Sequence, residues 1–464
     1  MYCNWIHEGG SCMQPLLETI AHSLTLDPAA VRWQGIGTLP SAFAVTGLAS
    51  ASIAAAGLAL ANLLRGQLDS CPLVRVDRRL ASFWFATSLR PQGWEPPPLW
   101  DAIAGDYPAR DGWIRLHTNA AHHRAAVVSV LGPVTDRASV ARRVALWNAE
   151  ALEAAVVAAG GCAARMRGWL EWCEHPQGRA VNAQPLILRD TFAGPCRPWH
   201  GSEARPLAGI KVLDLTRILA GPIATRLLAG FGADVLRIDP PGWEEPAVAA
   251  EVTLGKRCAR LDLHTPEGRR LFEQLMTEAD VLVHGYRADA LEHLGLGAEW
   301  RRQLNPGLID VSLNAYGWSG PWRDRRGFDS LVQMSSGIAR AGMRWRQAER
   351  PVPLPVQALD HATGYLMAAE AIRALGERLL TGQGCRSRLS LARTAKLLVE
   401  HGTMDEDLPL APESADDLDP HLERTPWGET RRIKAPLKVG EARLSWSLGA
   451  CELGSSKACW QGFL

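Results

Sequence analysis

Short apolar segments alternate with helical segments between residues 206 and 393, and this alternation limits the fold more than any other feature of the chain. Strands are predicted at residues 210–215, 235–238, 281–283 and 308–312. Thr265-Pro266-Glu267 has the signature of a helix start between two of them. Helical crossovers place consecutive strands parallel in one sheet. The predicted fold class is therefore α/β, with an open parallel sheet covered by helices.

Composition excludes several classes of protein. The chain has 464 residues, of which 47% are hydrophobic and 21% are charged, the usual balance of a globular protein. The net charge is +1 and no long basic run occurs, so nucleic acid is not expected as a partner. The ten cysteines form no Cys-x-x-Cys pair and no Cys/His cluster, so no metal site is predicted. Scattered cysteines are typical of reduced thiols and predict a cytoplasmic protein.

One uncharged segment raises the question of a membrane span. Residues 33–64 carry no charge and are long enough to cross a bilayer. They are mainly Ala, Gly and Ser, which drive insertion weakly, and Pro40 interrupts them. We predict a buried, Ala-rich helix here and no membrane partner. The N-terminal residues lack the basic and apolar regions of a signal peptide.

Residue composition and the pattern of predicted elements divide the chain into three parts. Residues 1–200 are rich in Trp and Ala and are predicted to be mostly helical, and the pair His122-His123 is interpreted as structural. Residues 206–400 hold the strand–helix alternation. Residues 401–464 begin with a stretch crowded with Pro, Asp and Glu, which predicts an extended segment that wraps over another surface.

A repeat links the first two parts. Asp360-His-Ala-Thr-Gly364 is followed by a helix and by Leu-Leu-Thr-Gly-Gln383. Phe43-Ala-Val-Thr-Gly47 is followed by an Ala-rich helix and by Leu-Leu-Arg-Gly-Gln67. Chance similarity between two Ala-rich helices is the alternative to a true repeat. In a true repeat Phe43 takes the place of Asp360, so the first copy would keep the scaffold and lack the carboxylate.

Asp360 is the candidate catalytic residue, because it stands at the start of an amphipathic helix. One interpretation is that its side chain only caps the helix. The other is that the helix dipole and free N–H groups keep the carboxylate ionised, which suits a nucleophile. The same N–H groups could then stabilise an oxyanion.

Two loops are candidates for contact with a phosphorylated ligand. Lys256 and Arg257 follow Gly255 just before a short strand, and are either surface charge or phosphate contacts. Tyr286 and Arg287 follow the third strand, at the carboxyl end where parallel sheets bind ligands. Tyr286 could stack on an adenine, and Arg287 could reach a phosphate. A dinucleotide site is not predicted, because the turn after the first strand lacks Gly-x-Gly-x-x-Gly.

An ordered series of segments between about 206 and 393 resembles the class III CoA-transferase family, also called the carnitine-dehydratase and bile-acid-inducible family. Each segment is weak alone, and their order makes the resemblance specific. They include Val212-Leu-Asp-Leu-Thr216, Ala220-Gly-Pro222, Phe231-Gly-Ala-Asp-Val235, Gly255-Lys-Arg257, Asp262-Leu-His-Thr-Pro-Glu-Gly268, Leu294-Gly-Leu296, Ser319-Gly-Pro321, Gly327-Phe-Asp329 and Asp360 with Thr363-Gly364. Residues 43 to about 180 resemble a second, degenerate partial copy, including the family's smaller domain.

The resemblance implies a fold, a reaction and a set of site residues. The implied fold is a Rossmann-like CoA-binding domain with a second, smaller, mostly helical or α+β domain, in interlocked homodimers. Asp360 would attack an acyl-CoA thioester to form a mixed anhydride, and an aspartyl-CoA thioester would then pass CoA to a carboxylic acid. Lys256, Arg257, Gly285 and Tyr286 match loops that contact the CoA nucleotide. Coenzyme A and acyl-CoA are implied as substrates, with no permanently bound cofactor.

Two departures from the family bear on its function. The smaller-domain sequence precedes the CoA-binding part, and Phe328 stands where the racemase branch has a His before the Asp, which argues against racemase activity. CoA transfer through Asp360 is the leading hypothesis. One alternative is isomerisation or racemisation of an acyl-CoA, which needs a base such as His361. Another is a non-catalytic CoA-binding subunit, in keeping with the degenerate first copy.

Overall fold

The computed structural model describes residues 13–68, 72–195, 198–287, 289–402 and 408–460. Strands are numbered β1–β17 and helices α1–α17 along the chain. The helices of the first part are α1 (Met13–Leu24), α2 (Val45–Leu68), α3 (Arg78–Trp84), α4 (Ala121–Leu131), α5 (Arg137–Val144), α6 (Ala149–Ala158), α7 (Trp169–Glu174) and α8 (Pro176–Asn182). Its strands are β1 (Val31–Gln34), β2 (Val74–Asp77), β3 (Leu89–Pro91), β4 (Gly105–Ala109), β5 (Gly112–Leu116), β6 (Ala163–Arg165) and β7 (Leu188–Ala193).

The central part alternates strands with helices. Its strands are β8 (Lys211–Leu215), β9 (Asp234–Asp239), β10 (Lys256–Arg260), β11 (Val281–His284), β12 (Ile309–Asn314) and β13 (Gln383–Ser390). Its helices are α9 (Ala220–Gly230), α10 (Ala249–Val252), α11 (Pro266–Glu278), α12 (Ala290–His293), α13 (Ala298–Leu304), α14 (Asp329–Ser335), α15 (Ile338–Trp345), α16 (Ala358–Thr381) and α17 (Leu391–Glu400). The last part adds β14 (Glu423–Thr425), β15 (Gly428–Arg432), β16 (Leu437–Val439) and β17 (Ala442–Arg443).

A seven-stranded sheet forms the centre of the molecule. Its strands lie in the order β10-β9-β8-β11-β12-β13-β7. The first six are parallel and β7 is antiparallel at the edge. Counted from β8 along the chain, the parallel strands follow the order 3-2-1-4-5-6, so the winding reverses between β8 and β11. The predicted α/β fold with a parallel sheet and helices is confirmed.

Local sequence explains where the central elements begin and end. Strands β11 and β12 are buried along their whole length, as expected for parallel strands that are covered on both faces. The continuous apolar residues of these two strands are therefore visible in the sequence as a strand signal. At the start of α11, the Thr265 hydroxyl accepts a hydrogen bond from the Gly268 N–H at 3.1 Å, and Pro266 occupies the first helical turn. The predicted helix start is confirmed.

The internal repeat has a structural counterpart. The order strand, helix, strand, helix occurs as β1-α2-β2-α3 and again as β12-α16-β13-α17, with α14 and α15 inserted between β12 and α16 in the second copy. In each copy the two strands pair in parallel, with Val31 opposite Val74 and Ile309 opposite Cys385. Helices α2 and α16 are both 24 residues long and pack against each other. Phe43, which matches Asp360, is buried just before α2.

Helix α2 is the one described helix that is long and apolar enough to cross a membrane. Its apolar window is 94% buried inside the protein. Small side chains such as Ala55 and Gly57 allow close packing, since a Cβ added at Gly57 would lie 2.8 Å from a Val74 methyl group. The segment is thus a buried Ala-rich helix in this structure, as its composition predicts.

Two hydrophobic cores organise the first part. Residues between Ile103 and Ala163 form their own core around the antiparallel sheet β4-β5-β6 and helices α4 to α6. The main core instead combines all three parts of the chain, with Leu48, Leu366 and Val439 as members. Domain limits at 1–200, 206–400 and 401–464 stay a prediction.

The last part of the chain lies against the first two. Strand β16 pairs with β2, and β15 pairs with β3. Buried Arg432 contacts Glu423 and Glu251, and Glu251 also pairs with Arg226 on α9. These ion pairs join the tail to helices α9 and α10 of the central part.

Candidate functional site

A cavity of about 510 Å³ opens at the carboxyl ends of β8 and β11, where the strand order reverses. Ligands of open α/β sheets bind at this position. The predicted residues Gly285, Tyr286 and Arg287 line it directly after β11, and Asp360 lines it from α16. The structure therefore brings the candidate nucleophile together with three of the five predicted CoA contacts.

Asp360 does not cap its helix. It is the third residue of α16, and Gln357 occupies the N-cap position without a side-chain hydrogen bond. The carboxylate of Asp329 takes the capping role, because one of its oxygens accepts the N–H groups of Leu359 and Asp360 at 2.8 and 2.9 Å. The N-cap interpretation of Asp360 is wrong. The expected use of these two N–H groups for an oxyanion is also wrong, since Asp329 occupies them.

Asp360 is also not held ionised in the manner expected from the helix dipole. Burial and then the negative charge of Asp329 raise the pKa of Asp360 well above its ordinary value. Burial likewise raises the pKa of Asp329 to about 6, against the effect of a hydrogen bond from Gln333. Two carboxyl groups this close disfavour double ionisation. The pair therefore holds a proton in a pH range where isolated aspartates have lost theirs.

This coupling predicts a shift in the pH profile. A nucleophilic Asp360 must be ionised, so activity should fall as the pH drops through its raised pKa. Replacing Asp329 by Asn removes the neighbouring negative charge and lowers the pKa of Asp360, although burial keeps that pKa above its ordinary value. We expect the acid limb of kcat/KM against pH to move to lower pH in Asp329→Asn. Asp324→Asn, in the exposed loop before α14, is the control and should leave the limb in place. An unmoved limb in Asp329→Asn would contradict the coupling.

Arg217 is a cavity residue that the sequence did not single out for binding. Its guanidinium lies between two rings, 4.7 Å from the centre of Trp243 and 5.1 Å from the centre of Tyr286. It also donates a hydrogen bond to the Tyr286 hydroxyl at 2.9 Å. One face of Tyr286 is therefore occupied by a cation. Arg217 lies just after β8, at the carboxyl end of a parallel strand. This position could have marked it in the sequence as a candidate ligand contact.

The neighbouring backbone is strained. Ile218 lines the cavity with φ of 67°, in the left-handed region that β-branched residues avoid. This conformation costs about 1–2 kcal/mol. The Ile218 N–H donates to Glu245 at 2.8 Å, which helps to hold the loop in place. Strain of this kind is concentrated at functional sites.

Lys256 and Arg257 do not line the cavity. The Lys256 ammonium is buried and lies 3.0 Å from Asp214 and 3.0 Å from the Pro222 carbonyl. Arg257 forms an ion pair with Asp234 at 2.8 Å. The Lys256 ammonium is thus engaged inside the protein and Arg257 in a partly exposed ion pair, so neither is placed to make the predicted phosphate contact in this cavity. The sequence shows that Lys256 and Arg257 are charged. It does not show how far each side chain is buried.

His361 is unsuited to the role of base that the isomerase alternative requires. Its side chain is 1% exposed, and its ring stacks on Phe85 with 5.1 Å between centres. Burial lowers the pKa of His361 to about 3, and the charge of Arg226 adds to this effect. So weak a base, outside the cavity lining, is poorly placed to remove a proton from an acyl group. The prediction of His361 as a base is wrong.

Four basic side chains that the sequence did not single out for binding form one wall of the cavity. His122 and His123 reach the cavity from α4, and Arg325 and Arg326 reach it from the loop before α14. The interpretation of the histidine pair as structural did not place it at a ligand cavity, and α4 lies far from the central part in sequence. Only the packing of the first part against the central sheet brings these residues to the site.

Phe328 closes the cavity next to the carboxyl pair. Its ring stacks on His117 with 3.8 Å between centres and 1° between planes. This aromatic stack occupies the position before Asp329 where the racemase branch has a His. Among the described residues, no group of three or more His, Cys, Asp or Glu side chains could hold a metal ion.

The central part of the chain is similar to known proteins. Residues 207–422 match the model of CoA-transferase family III. A succinyl-CoA–D-citramalate CoA-transferase of Chloroflexus aurantiacus is 34% identical over 194 residues, which cover 39% of this chain and 48% of the relative. A succinate–glutarate CoA-transferase of Agrobacterium fabrum is 32% identical over 219 residues, 43% of this chain and 54% of the relative.

One solved structure is similar to this chain over part of its length. The crystal structure of a CAIB/BAIF family protein from Brucella suis is 30% identical, with 43% of this chain and 56% of that chain covered and a TM-score of 0.38. The chain spans about half the length of the curated relatives it matches. The central part of the chain, residues 207–422, is thus similar to CoA-transferase family III.

Proposed function

We propose that this protein transfers CoA from an acyl-CoA thioester to a carboxylic acid, with Asp360 as the nucleophile. The observation that carries the proposal is the position of the Asp360 carboxyl in one cavity with the loop Gly285, Tyr286 and Arg287. We interpret the central sheet as Rossmann-like, because its order 3-2-1-4-5-6 and the cavity at the reversal fit that fold. The relatives named as CoA-transferases support the same reaction.

The proposed reaction balances without any other reactant. The Asp360 carboxylate attacks the thioester carbonyl carbon, the C–S bond breaks, and a mixed anhydride and the CoA thiolate form. The thiolate then attacks the aspartyl carbonyl of the anhydride, which releases the first acid as its carboxylate and leaves an aspartyl-CoA thioester. The acceptor carboxylate attacks this thioester, forming a second anhydride and releasing the thiolate. The thiolate finally attacks the acceptor's carbonyl, giving the new acyl-CoA and free Asp360.

The raised pKa of Asp360 fits this role once the group has lost its proton. A carboxylate of higher pKa is a stronger nucleophile than an ordinary one, because basicity and nucleophilicity rise together. Burial beside Asp329 provides that increase. At low pH a fraction of the protein molecules keeps the proton on Asp360. This fraction is inactive and gives the expected acid limb of the pH profile.

Arg287, Arg217 and Tyr286 are proposed to hold the CoA nucleotide, with the backbone of Gly285 exposed beside them. Both guanidinium groups lie at the cavity wall, and a charge-assisted hydrogen bond to phosphate contributes roughly 1.5–3 kcal/mol. Replacing Arg287 by Ala should therefore weaken CoA binding by about tenfold or more in calorimetry. Arg257→Ala is the matched control and should bind CoA as wild type does, because Arg257 already pairs with Asp234 outside the cavity. The opposite ranking of the two variants would restore the phosphate role first predicted for Arg257.

A CoA-exchange assay separates the proposed function from its alternatives. Purified protein would be incubated with pairs of acyl-CoA donors and free acids, and new acyl-CoA would be measured. A CoA-binding subunit would bind CoA and show no exchange with any pair. An isomerase would incorporate solvent deuterium at the acyl α-carbon without exchange. Interlocked homodimers and a cytoplasmic location stay predictions.

A further inference from the structure

The last part of the chain covers the outer edge of the central sheet. Strand β10 is the terminal strand of that sheet, so among the described strands it has a neighbour on one side only. On its other side, the Cys258 carbonyl accepts a hydrogen bond from the Ser456 N–H at 2.8 Å, and the Cys451 sulfur lies 3.5 Å from the Lys256 carbonyl oxygen. The Cys451 N–H donates to the Thr253 hydroxyl at 3.0 Å. This segment therefore runs along the edge and covers polar groups that could pair with another chain.

The same arrangement brings together two cysteines from distant parts of the chain. Cys258 belongs to β10 and is fully buried, whereas Cys451 belongs to the covering segment and is half-buried. The thiol of Cys258 donates a hydrogen bond to the Cys451 sulfur, so the two side chains are in contact. Neither residue lines the cavity that contains Asp360. The pair is therefore a site separate from the one proposed for CoA transfer.

The surroundings of Cys451 favour its thiolate. The hydrogen bond from Cys258 lowers the pKa of Cys451 to about 7 against the effect of burial, and the Ser455 hydroxyl and the charges of Lys256 and Arg237 add to the decrease. The same hydrogen bond, followed by burial, raises the pKa of Cys258 well above its ordinary value. A partly exposed thiolate reacts with peroxides, and a buried neutral thiol does not. The pair thus combines one sulfur that an oxidant can reach with one that can react only within the protein.

We propose that Cys451 and Cys258 are a peroxide-sensitive thiol pair, and that their oxidation to a disulfide fastens the last part of the chain to the edge of the sheet. The oxidant is hydrogen peroxide. The Cys451 thiolate attacks one peroxide oxygen, the O–O bond breaks, and a sulfenic acid and hydroxide form. The sulfur of Cys258 then attacks the sulfenic sulfur, and the S–O bond breaks. The thiol proton of Cys258 leaves with the hydroxyl group as water. Peroxide gains two electrons, and each sulfur gives up one.

Peptide mapping of the full chain tests the proposal. The protein would be treated with hydrogen peroxide, the remaining thiols would be alkylated, and the digest would be examined by mass spectrometry without reduction. Wild type should give one cross-linked peptide that joins Cys258 to Cys451, and dithiothreitol should remove it. Cys459→Ser, which lacks an exposed cysteine of the same segment, is the control and should give the same cross-link. Cys451→Ser should give none.

A second variant traps the first step. In Cys258→Ala the sulfenic acid has no resolving thiol, so dimedone, which reacts with sulfenic acids, should label Cys451. The labelling rate should rise between pH 6 and pH 8, because the thiolate fraction of Cys451 grows through its pKa of about 7. A rate that does not change over this range would contradict attack by the thiolate.

Thermal unfolding tests the fastening of the segment. The disulfide would close a long loop between β10 and the last part of the chain, which restricts the unfolded state. Peroxide should therefore raise the Tm of wild type, with reversal by dithiothreitol, and should leave the Tm of Cys451→Ser unchanged. If wild type forms no cross-link between Cys258 and Cys451, or if peroxide oxidises Cys459 and spares Cys451, the proposal is overturned. None of these outcomes depends on whether the protein transfers CoA.

Discussion

Replacing Asp360 by Asn is expected to lower the CoA-exchange rate on the order of 10⁴-fold or more, because a neutral amide cannot attack a thioester. The fold should persist, because Asp329 rather than Asp360 caps α16. CoA affinity measured by calorimetry should remain close to wild type, since the proposed nucleotide contacts come from other loops. Near-normal exchange in Asp360→Asn would contradict the nucleophile.

Stability against pH gives the control for that variant. A carboxyl group whose pKa is raised on folding binds protons more readily in the folded than in the unfolded state, so its ionisation destabilises the fold as the pH rises above its ordinary value of 3.8. Asn carries no such charge. The free energy of unfolding of Asp360→Asn should therefore exceed that of wild type at pH 8, and the difference should shrink toward pH 4. A variant that is less stable than wild type at pH 8 would show that the loss of activity reflects unfolding.

Lys256→Ala is expected to cause the largest loss of stability. Lys256 and Asp214 are a buried ion pair, and Asp214 also accepts hydrogen bonds from the hydroxyls of Thr216 and Thr225. Removing the ammonium leaves a buried carboxylate without its cation, which costs about 3–5 kcal/mol. Chemical denaturation would measure this change.

Two further variants test the cause of that loss. In Lys256→Met combined with Asp214→Leu no charge is left behind, so the loss should be smaller than in Lys256→Ala. Arg257→Ala breaks a partly exposed pair and should cost only about 0–1 kcal/mol. If Lys256→Ala and Arg257→Ala lowered the free energy of unfolding by equal small amounts, Lys256 would be a surface charge. Surface charge was one of the two interpretations of Lys256 from the sequence.

The central sheet could be predicted from the sequence because its signal is local. Buried parallel strands such as β11 and β12 need continuous apolar residues, and these runs are visible without knowledge of the fold. Gly285, Tyr286 and Arg287 could be placed for the same reason, since they follow such a strand directly. Asp360 was found through its helix, although its role in that helix was misjudged.

The remaining features depend on contacts between distant segments. Asp329 determines both the capping of α16 and the pKa of Asp360, yet it belongs to another helix. Burial of Lys256 depends on its pairing with Asp214 of β8, two strands away in the sheet. His123 reaches the site only because α4 packs against the central part. Side-chain chemistry alone predicts none of these environments.

Isotope transfer to Asp360 tests the central claim most directly. The acceptor acid would carry ¹⁸O in both carboxylate oxygens, and Asp360 would be examined by mass spectrometry after a single turnover. In the proposed reaction one acceptor oxygen bridges the second anhydride and stays with Asp360 when the thiolate attacks the acceptor's carbonyl. We therefore predict one ¹⁸O in the peptide that contains Asp360 and none in the peptide that contains Asp329. Transfer of CoA with no label in Asp360 would contradict the account.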